Sequence, residues 1–248
     1  MKYLFANWKS YLDYKETLAL ATTLASTPFK NDQLIVGIFP VIPAVSEVKN
    51  ICDGTSLRLG AQDLEAVPKG AYTGAVSAQV YQELGCAYAL VGHSERRQLF
   101  SETPEIVRHK FLAALESGII PVLCIGETKE VRESGMHVAY LKNQLKETLA
   151  GVELHEGKSF IVAYEPIWAI GTGEACDDQE AATMQAIIKQ ELATYVKTYV
   201  PVLYGGSVSE KNVVSYVLHD MIDGVLIGKA STEEVSLLDI IRLLEEIV

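Results

Sequence analysis

Eight short β-rich apolar runs, spaced roughly 20 to 40 residues apart, constrain this chain more than any other feature. They are Leu4-Phe5-Ala6, Leu34-Ile35-Val36-Gly37-Ile38-Phe39, Leu57-Arg58-Leu59-Gly60-Ala61, Tyr88-Ala89-Leu90-Val91, Ile120-Pro121-Val122-Leu123-Cys124-Ile125, Phe160-Ile161-Val162-Ala163, Val202-Leu203-Tyr204 and Val225-Leu226-Ile227. Most are followed by a polar loop and then by a stretch whose apolar spacing is close to 3.6, the period of a helix.

Helices are expected over Tyr14 to Leu24, Ser77 to Leu84, Pro104 to Ser117, Val138 to Leu149, Asp178 to Tyr199, and from Ser236 to the end. In Thr103-Pro104-Glu105 the threonine suits a cap, the proline the first helical position and the acid the positive end of the dipole. The last helix repeats apolar residues at Leu237, Leu238, Ile241, Leu244 and Ile247, one face of a period near 3.6. Alternating strand and helix calls for parallel strands joined by right-handed crossovers, and eight such units close into a (β/α)8 barrel. An open doubly wound sheet is the rival, but there the first strand often leads into G-x-G-x-x-G, and here it leads into Asn7-Trp8-Lys9. With no linker or composition break, residues 1–248 are expected to form a single α/β domain.

Composition narrows the function. With 49% hydrophobic and 21% charged residues the chain reads as globular. A formal net charge of -11 repels polyanions, so neither nucleic acid nor an anionic membrane is an expected partner, and a small anionic substrate needs a strong local site. No run reaches the ~18 apolar residues of a membrane helix, and the N-terminal apolar run is too short for a signal peptide, giving a cytoplasmic expectation. Cys52, Cys86, Cys124 and Cys176 form no C-x-x-C pair and are expected as reduced thiols. The five histidines are scattered, and neither metal nor cofactor is expected.

In such a barrel the C-terminal ends of all strands open onto one rim. Asn7 and Lys9, Gln62, His93 with Glu95, Cys124 with Glu127, Glu165, Gly205-Gly206-Ser207 and Gly228 stand there. Glu165 follows Ile161-Val162-Ala163-Tyr164 and precedes Pro166, which biases it toward extended geometry. If the apolar segment Ile167-Trp168-Ala169-Ile170 covers it, desolvation makes it a better base. That segment, bounded by Pro166 and by Gly171-Thr172-Gly173, has the layout of a lid. Gly171-Thr172-Gly173, Gly205-Gly206-Ser207 and Gly228 can present backbone N–H groups to an anion. His93 opens a short helix whose dipole favours a neutral, hydrogen-bond-donating imidazole, and Lys9 supplies a fixed cation. Singly, each has a plainer reading: Glu165 as a solvated loop acid, His93 as a structural residue, Lys9 as a surface cation. Their convergence on one rim carries the functional reading.

At these positions the chain closely resembles the triosephosphate isomerase family of TIM barrels. The matching segments are Asn7-Trp8-Lys9, Gly92-His93-Ser94-Glu95-Arg96-Arg97, Ala163 to Gly173, and Tyr204-Gly205-Gly206-Ser207-Val208. The resemblance implies interconversion of dihydroxyacetone phosphate and glyceraldehyde 3-phosphate through an enediolate. Glu165 would move the carbon proton, neutral His93 would exchange protons with the oxygens, Lys9 and Asn7 would stabilise the oxyanion, and Glu95 would anchor Lys9; the base, the neutral histidine and the closing loop of this family are a standard worked case. Gly171, Ser207 and the Gly228-Lys229 turn would hold the phosphate. The resemblance further implies a homodimer in which Tyr72-Thr73-Gly74 reaches the partner's Asn7 and Lys9 region.

Three departures stand out from the family pattern: Glu174-Ala175-Cys176 after the lid, Ala75 where a glutamate usually serves an interface arginine such as Arg97, and Lys229 where a second glycine is usual. The alternative readings are another phosphate-binding barrel isomerase, a Schiff-base aldolase, or a catalytically silent phosphate-binding barrel.

Overall fold

The computed structural model describes residues 1–29, 32–170 and 175–248. Its eight strands are β1 (Lys2–Asn7), β2 (Leu34–Phe39), β3 (Arg58–Ala61), β4 (Tyr88–Val91), β5 (Ile120–Ile125), β6 (Ile161–Tyr164), β7 (Val202–Tyr204) and β8 (Gly224–Ile227). They pair in sequence order into a closed barrel. Every pairing is parallel, and the ring closes between β1 and β8 with Tyr3 opposite Gly224 and Ala6 opposite Ile227.

The helices between them are α1 (Tyr14–Ser26), α2 (Val45–Cys52), α3 (Ala78–Glu83), α4 (Ser94–Leu99), α5 (Pro104–Ser117), α6 (Lys129–Glu133), α7 (His137–Leu149), α8 (Asp178–Leu192), α9 (Val213–Val217) and α10 (Glu234–Ile247). Their ends follow local chemistry. Asp13 and Glu16 form a reciprocal capping box on α1, and Thr103 accepts the Ile106 N–H ahead of Pro104 on α5.

Alternation along the strands builds two cores. Phe5, Phe39, Leu90, Val122, Cys124, Ile161, Ala163, Leu203 and Leu226 fill the barrel, while their neighbours, among them Leu4, Ala6, Val91, Val202 and Tyr204, face the helices. Gly60 on β3 is a packing necessity, since a Cβ there would stand 2.2 Å from a ring carbon of Phe39. The aromatic ring takes the space that a β3 side chain would occupy.

Of the expected helices only α5 has its expected bounds; most others shift by one or two residues, and α8 differs most. α8 ends at Leu192 rather than Tyr199. The chain then turns so that the Tyr199 hydroxyl donates to Asp223, which also accepts the Val202 N–H at 2.7 Å and pairs with Lys189 at 2.8 Å. Anchoring to β8 outweighs continuation of the helix. In α10 the buried face is Leu237, Ile240, Ile241 and Leu244, with Leu238 only half-buried at its edge. α2, α6 and α9 are additional to the expected helices.

Candidate active site

β1 delivers Asn7 to the rim, and two residues later Lys9 adopts φ +49, a left-handed conformation that a lysine holds only when its surroundings fix it. They do: Lys9 N–H donates to Asn7 Oδ1 at 3.1 Å, and Gln62 Nε2 donates to Lys9 O at 2.8 Å and to Phe39 O at 2.9 Å. The chain therefore aims the lysine from both sides. Its ammonium pairs with Glu95 Oε1 at 2.7 Å.

β4 leads through Gly92 into His93, the cap of α4. His93 Nδ1 accepts the Glu95 N–H at 3.2 Å, so Nδ1 carries no proton and the ring's N–H is on Nε2. Nε2 points at Glu165 Oε1, 3.1 Å away, although the angle is too poor for a directional hydrogen bond and Oε1 has no other partner.

β6 ends at Tyr164 and Glu165 follows. Glu165 is 1% exposed. Its N–H donates to Ile125 O at 2.7 Å, and its Oε2 accepts the Ser94 N–H at 3.0 Å. Gly126 lies so close beneath that an added Cβ would stand 1.7 Å from the Glu165 carbonyl oxygen. The buried thiol of Cys124 is held far above its usual pKa by burial and by the neighbouring Glu165 charge.

Pro166 is extended, and Ile167–Ala169 forms one 3-10 turn. Trp168 Nε1 and Tyr164 Oη each donate to the buried Glu127 Oε1 at 3.0 Å, and Arg132 reaches the same oxygen at 3.2 Å. Ser207 Oγ donates to Ala169 O at 2.5 Å, tying the segment to the loop after β7. On the far side, the Tyr216 hydroxyl donates to Cys176 O while its ring stacks on Tyr204 at 4.2 Å. Gly171, Thr172, Gly173 and Glu174 lie outside the described residues.

These elements enclose a cavity of roughly 150 Å³, small beside the ~300–1,000 Å³ of sites for drug-sized ligands. Asn7, Lys9, His93, Glu165, Ile170, Ser207, Gly228 and Lys229 all line it, and Glu95 stands behind Lys9. Among the described residues, no three His, Cys, Asp or Glu side chains are placed to hold a metal. The arrangement offers a base, a neutral acid, a cation and a glycine-rich end that suits an anion. Sequence reasoning placed Gln62 at the rim without a role, and missed the Ser94 N–H, which as a backbone group leaves no residue-type signal.

A second depression adjoins the first. Val41, Ile42, Pro43, Gln62, Glu95, Arg96 and Phe100 are among its lining residues and it opens toward Asn7, Lys9 and His93. Phe100 is 61% exposed on its edge. Arg96 faces this depression, whereas Arg97 turns inward, its guanidinium donating to Gly92 O at 2.7 Å and Cys124 O at 3.1 Å. Arg96 is in turn held by Glu102 at 2.8 Å and by Asp63 at 2.9 Å. Tyr72, Thr73 and Gly74 are exposed elsewhere on the surface.

The family model for triosephosphate isomerase matches residues 2–244. The triosephosphate isomerase of Mycobacterium tuberculosis (strain ATCC 25618 / H37Rv) is 43% identical over 235 residues, 92% of this chain and 90% of that protein. The triosephosphate isomerase of Herpetosiphon aurantiacus is 37% identical over 243 residues, 96% of this chain and 97% of that protein.

Proposed function

The chain belongs to the triosephosphate isomerase family and is an isomerase on a (β/α)8 barrel, and from that premise we propose how its residues divide the reaction. The substrate pair is dihydroxyacetone phosphate and D-glyceraldehyde 3-phosphate. Glu165 removes the proton from the carbon beside the carbonyl and returns it to the neighbouring carbon. Removing such a base costs about 10²–10⁴ in rate. His93 Nε2–H donates to the carbonyl oxygen as it becomes an enediolate and then serves the second oxygen. Lys9, held by Glu95, and Asn7 stabilise the developing negative charge. The backbone N–H groups of Ser207, Gly228 and Lys229, with Gly171 from the segment not described, hold the phosphate, and Pro166 to Gly173 close over it and exclude water.

The observation carrying this reading is the meeting of Glu165 and His93 at 3.1 Å on the wall of one small cavity that also contains Lys9. Ser94 holds Oε2, which leaves Oε1, without a hydrogen-bond partner, as the oxygen free to take the proton. The Lys9–Glu95 pair disfavours the Schiff-base aldolase, which needs an uncharged amine.

Residues 1–248 act as one domain in a cytoplasmic homodimer. The groove beside the active site, with exposed Phe100 and with Arg96, is where the partner's 72–74 loop docks. Four buried free thiols suit a reducing compartment, and no described helix is long and apolar enough to cross a membrane.

The test is turnover of glyceraldehyde 3-phosphate in deuterated water, followed by proton NMR. The reading predicts enzyme-dependent deuterium at the carbons flanking the transferred proton. Conversion without any exchange that also survives Glu165→Gln would argue for direct hydride migration and against Glu165 as base.

A further inference from the structure

Three charged side chains line the cavity among the described residues: Lys9, Glu165 and Lys229. Lys9 is paired with Glu95 at 2.7 Å, and Glu165 leaves a negative charge buried in the wall. A phosphorylated substrate brings about two further negative charges into a chain whose net charge is already -11. Lys229 is the cation on this wall that no described carboxylate pairs with, and it is exposed at the mouth.

Its position is built rather than incidental. A Cβ at Gly228 would stand 3.3 Å from Lys9 Cε and 3.5 Å from its Nζ, in close contact with the end of that side chain. Residue 229 is the next position in the chain that carries a side chain. The turn Lys229–Thr232 is fixed by Ser231, whose N–H donates to Gly228 O at 2.9 Å and whose hydroxyl bonds Gly228 O at 2.7 Å and Ile227 O at 3.1 Å. A fixed backbone therefore carries this lysine at the glycine-rich end of the cavity.

We propose that the Lys229 side chain is a substrate-binding residue, its ammonium pairing with the phosphate dianion and supplying the positive charge that the Lys9–Glu95 pair does not. This rests on the phosphate being held at the Ser207 and Gly228 end of the cavity. It adds a side-chain contact to the backbone N–H groups there and makes capture of the anion dependent on ionic strength.

The test uses the full-length wild type, Lys229→Met and Lys229→Arg. Inorganic phosphate is titrated calorimetrically at low and high salt, and kcat and KM for glyceraldehyde 3-phosphate are measured in parallel. A charge-assisted contact at a solvent-facing mouth predicts phosphate binding weaker by about three- to ten-fold in Lys229→Met. KM should rise by a similar factor, with the smaller change in kcat. The loss should shrink as salt screens the pair, and Lys229→Arg should recover most of it. Equal or tighter phosphate binding in Lys229→Met, or a loss that arginine does not recover, overturns the proposal. A wild type that binds phosphate but does not turn over the aldose would count against the catalytic assignments while still deciding the role of Lys229.

Discussion

Ser94 donates its backbone N–H to Glu165 Oε2 at 3.0 Å, so the turn that aims the His93 ring also holds the carboxylate facing it. The two catalytic groups are positioned by one structural unit, and the reach of the Glu165 side chain is matched to it. Glu165→Asp withdraws the carboxylate by one methylene. Kinetics should show kcat lower by about 10² or more with a smaller change in KM, since a displacement near 1 Å costs on that order. An aspartate variant with wild-type kcat would mean the carboxylate position is not critical.

Gly126 tests the same positioning from below. A methyl at 126 would stand 1.7 Å from the Glu165 carbonyl oxygen, so Gly126→Ala must move the β6 end. Overpacking of this kind costs about 1–3 kcal/mol, and chemical denaturation should register it. Activity should fall by a larger factor than stability accounts for, because the displaced backbone carries the base. Loss of stability with undiminished kcat would show that β6 relaxes without moving Glu165.

How much of this was legible in the sequence depends on the kind of interaction. β2, β4, β5 and β7 coincide with their apolar runs, and α5 with its Thr103 cap and Pro104, because buried strands and capped helices write themselves in residue type. The rim residues Asn7, Lys9, His93, Glu165 and Ser207 were readable as chemistry-bearing types after strands. The Ser94 N–H contact, the early end of α8 at the Tyr199–Asp223 bond, and the inward turn of Arg97 were not. Each depends on a partner distant in sequence or on a backbone group that any residue supplies.

Gln62 is a positioning residue by the same reasoning. It holds the carbonyl of Lys9 at 2.8 Å while that residue sits at φ +49. Gln62→Ala removes the restraint on a strained backbone worth about 1–3 kcal/mol. Steady-state kinetics should show kcat/KM reduced by about 10-fold or more, with Gln62→Glu failing to restore it because a carboxylate cannot donate to two carbonyls. Unchanged kcat/KM in Gln62→Ala would place the restraint elsewhere.

A buried charge cluster beneath the rim makes stability depend on pH. Lys110 Nζ contacts Glu102 at 2.6 Å and Asp63 at 2.8 Å, and Arg96 bonds the same two carboxylates at 2.8 and 2.9 Å. Burial pushes the Glu102 pKa up, but hydrogen bonds from Lys110 and Arg96 outweigh it and hold the group below its usual value. For Asp63 burial wins and the pKa is raised. Burial would lower the Lys110 pKa, yet the two carboxylates outweigh it and raise it. The Glu102 contribution is therefore present above its unfolded pKa, near ~4.3, and lost as pH falls through its lower folded value. The Lys110 contribution is complete below its unfolded pKa and lost as pH rises through its higher folded value, while Asp63 gives back some stability on protonation in acid.

Lys110→Met leaves both carboxylates without their buried cation and should cost about 3–5 kcal/mol at neutral pH. Denaturant melts should show the gap to wild type narrowing toward about pH 4, as the stranded acids take up protons. A gap independent of pH would show that packing, not charge, is what the lysine contributes.

The central claim is that Glu165 is the group that moves the carbon proton. Its most direct test is a coupled assay on glyceraldehyde 3-phosphate comparing wild type with Glu165→Gln, an amide of the same shape that cannot accept the proton. The account predicts active wild type and a Glu165→Gln rate lower by about 10²–10⁴ or more, with the fold retained by circular dichroism. Equal activity in the two proteins would contradict it.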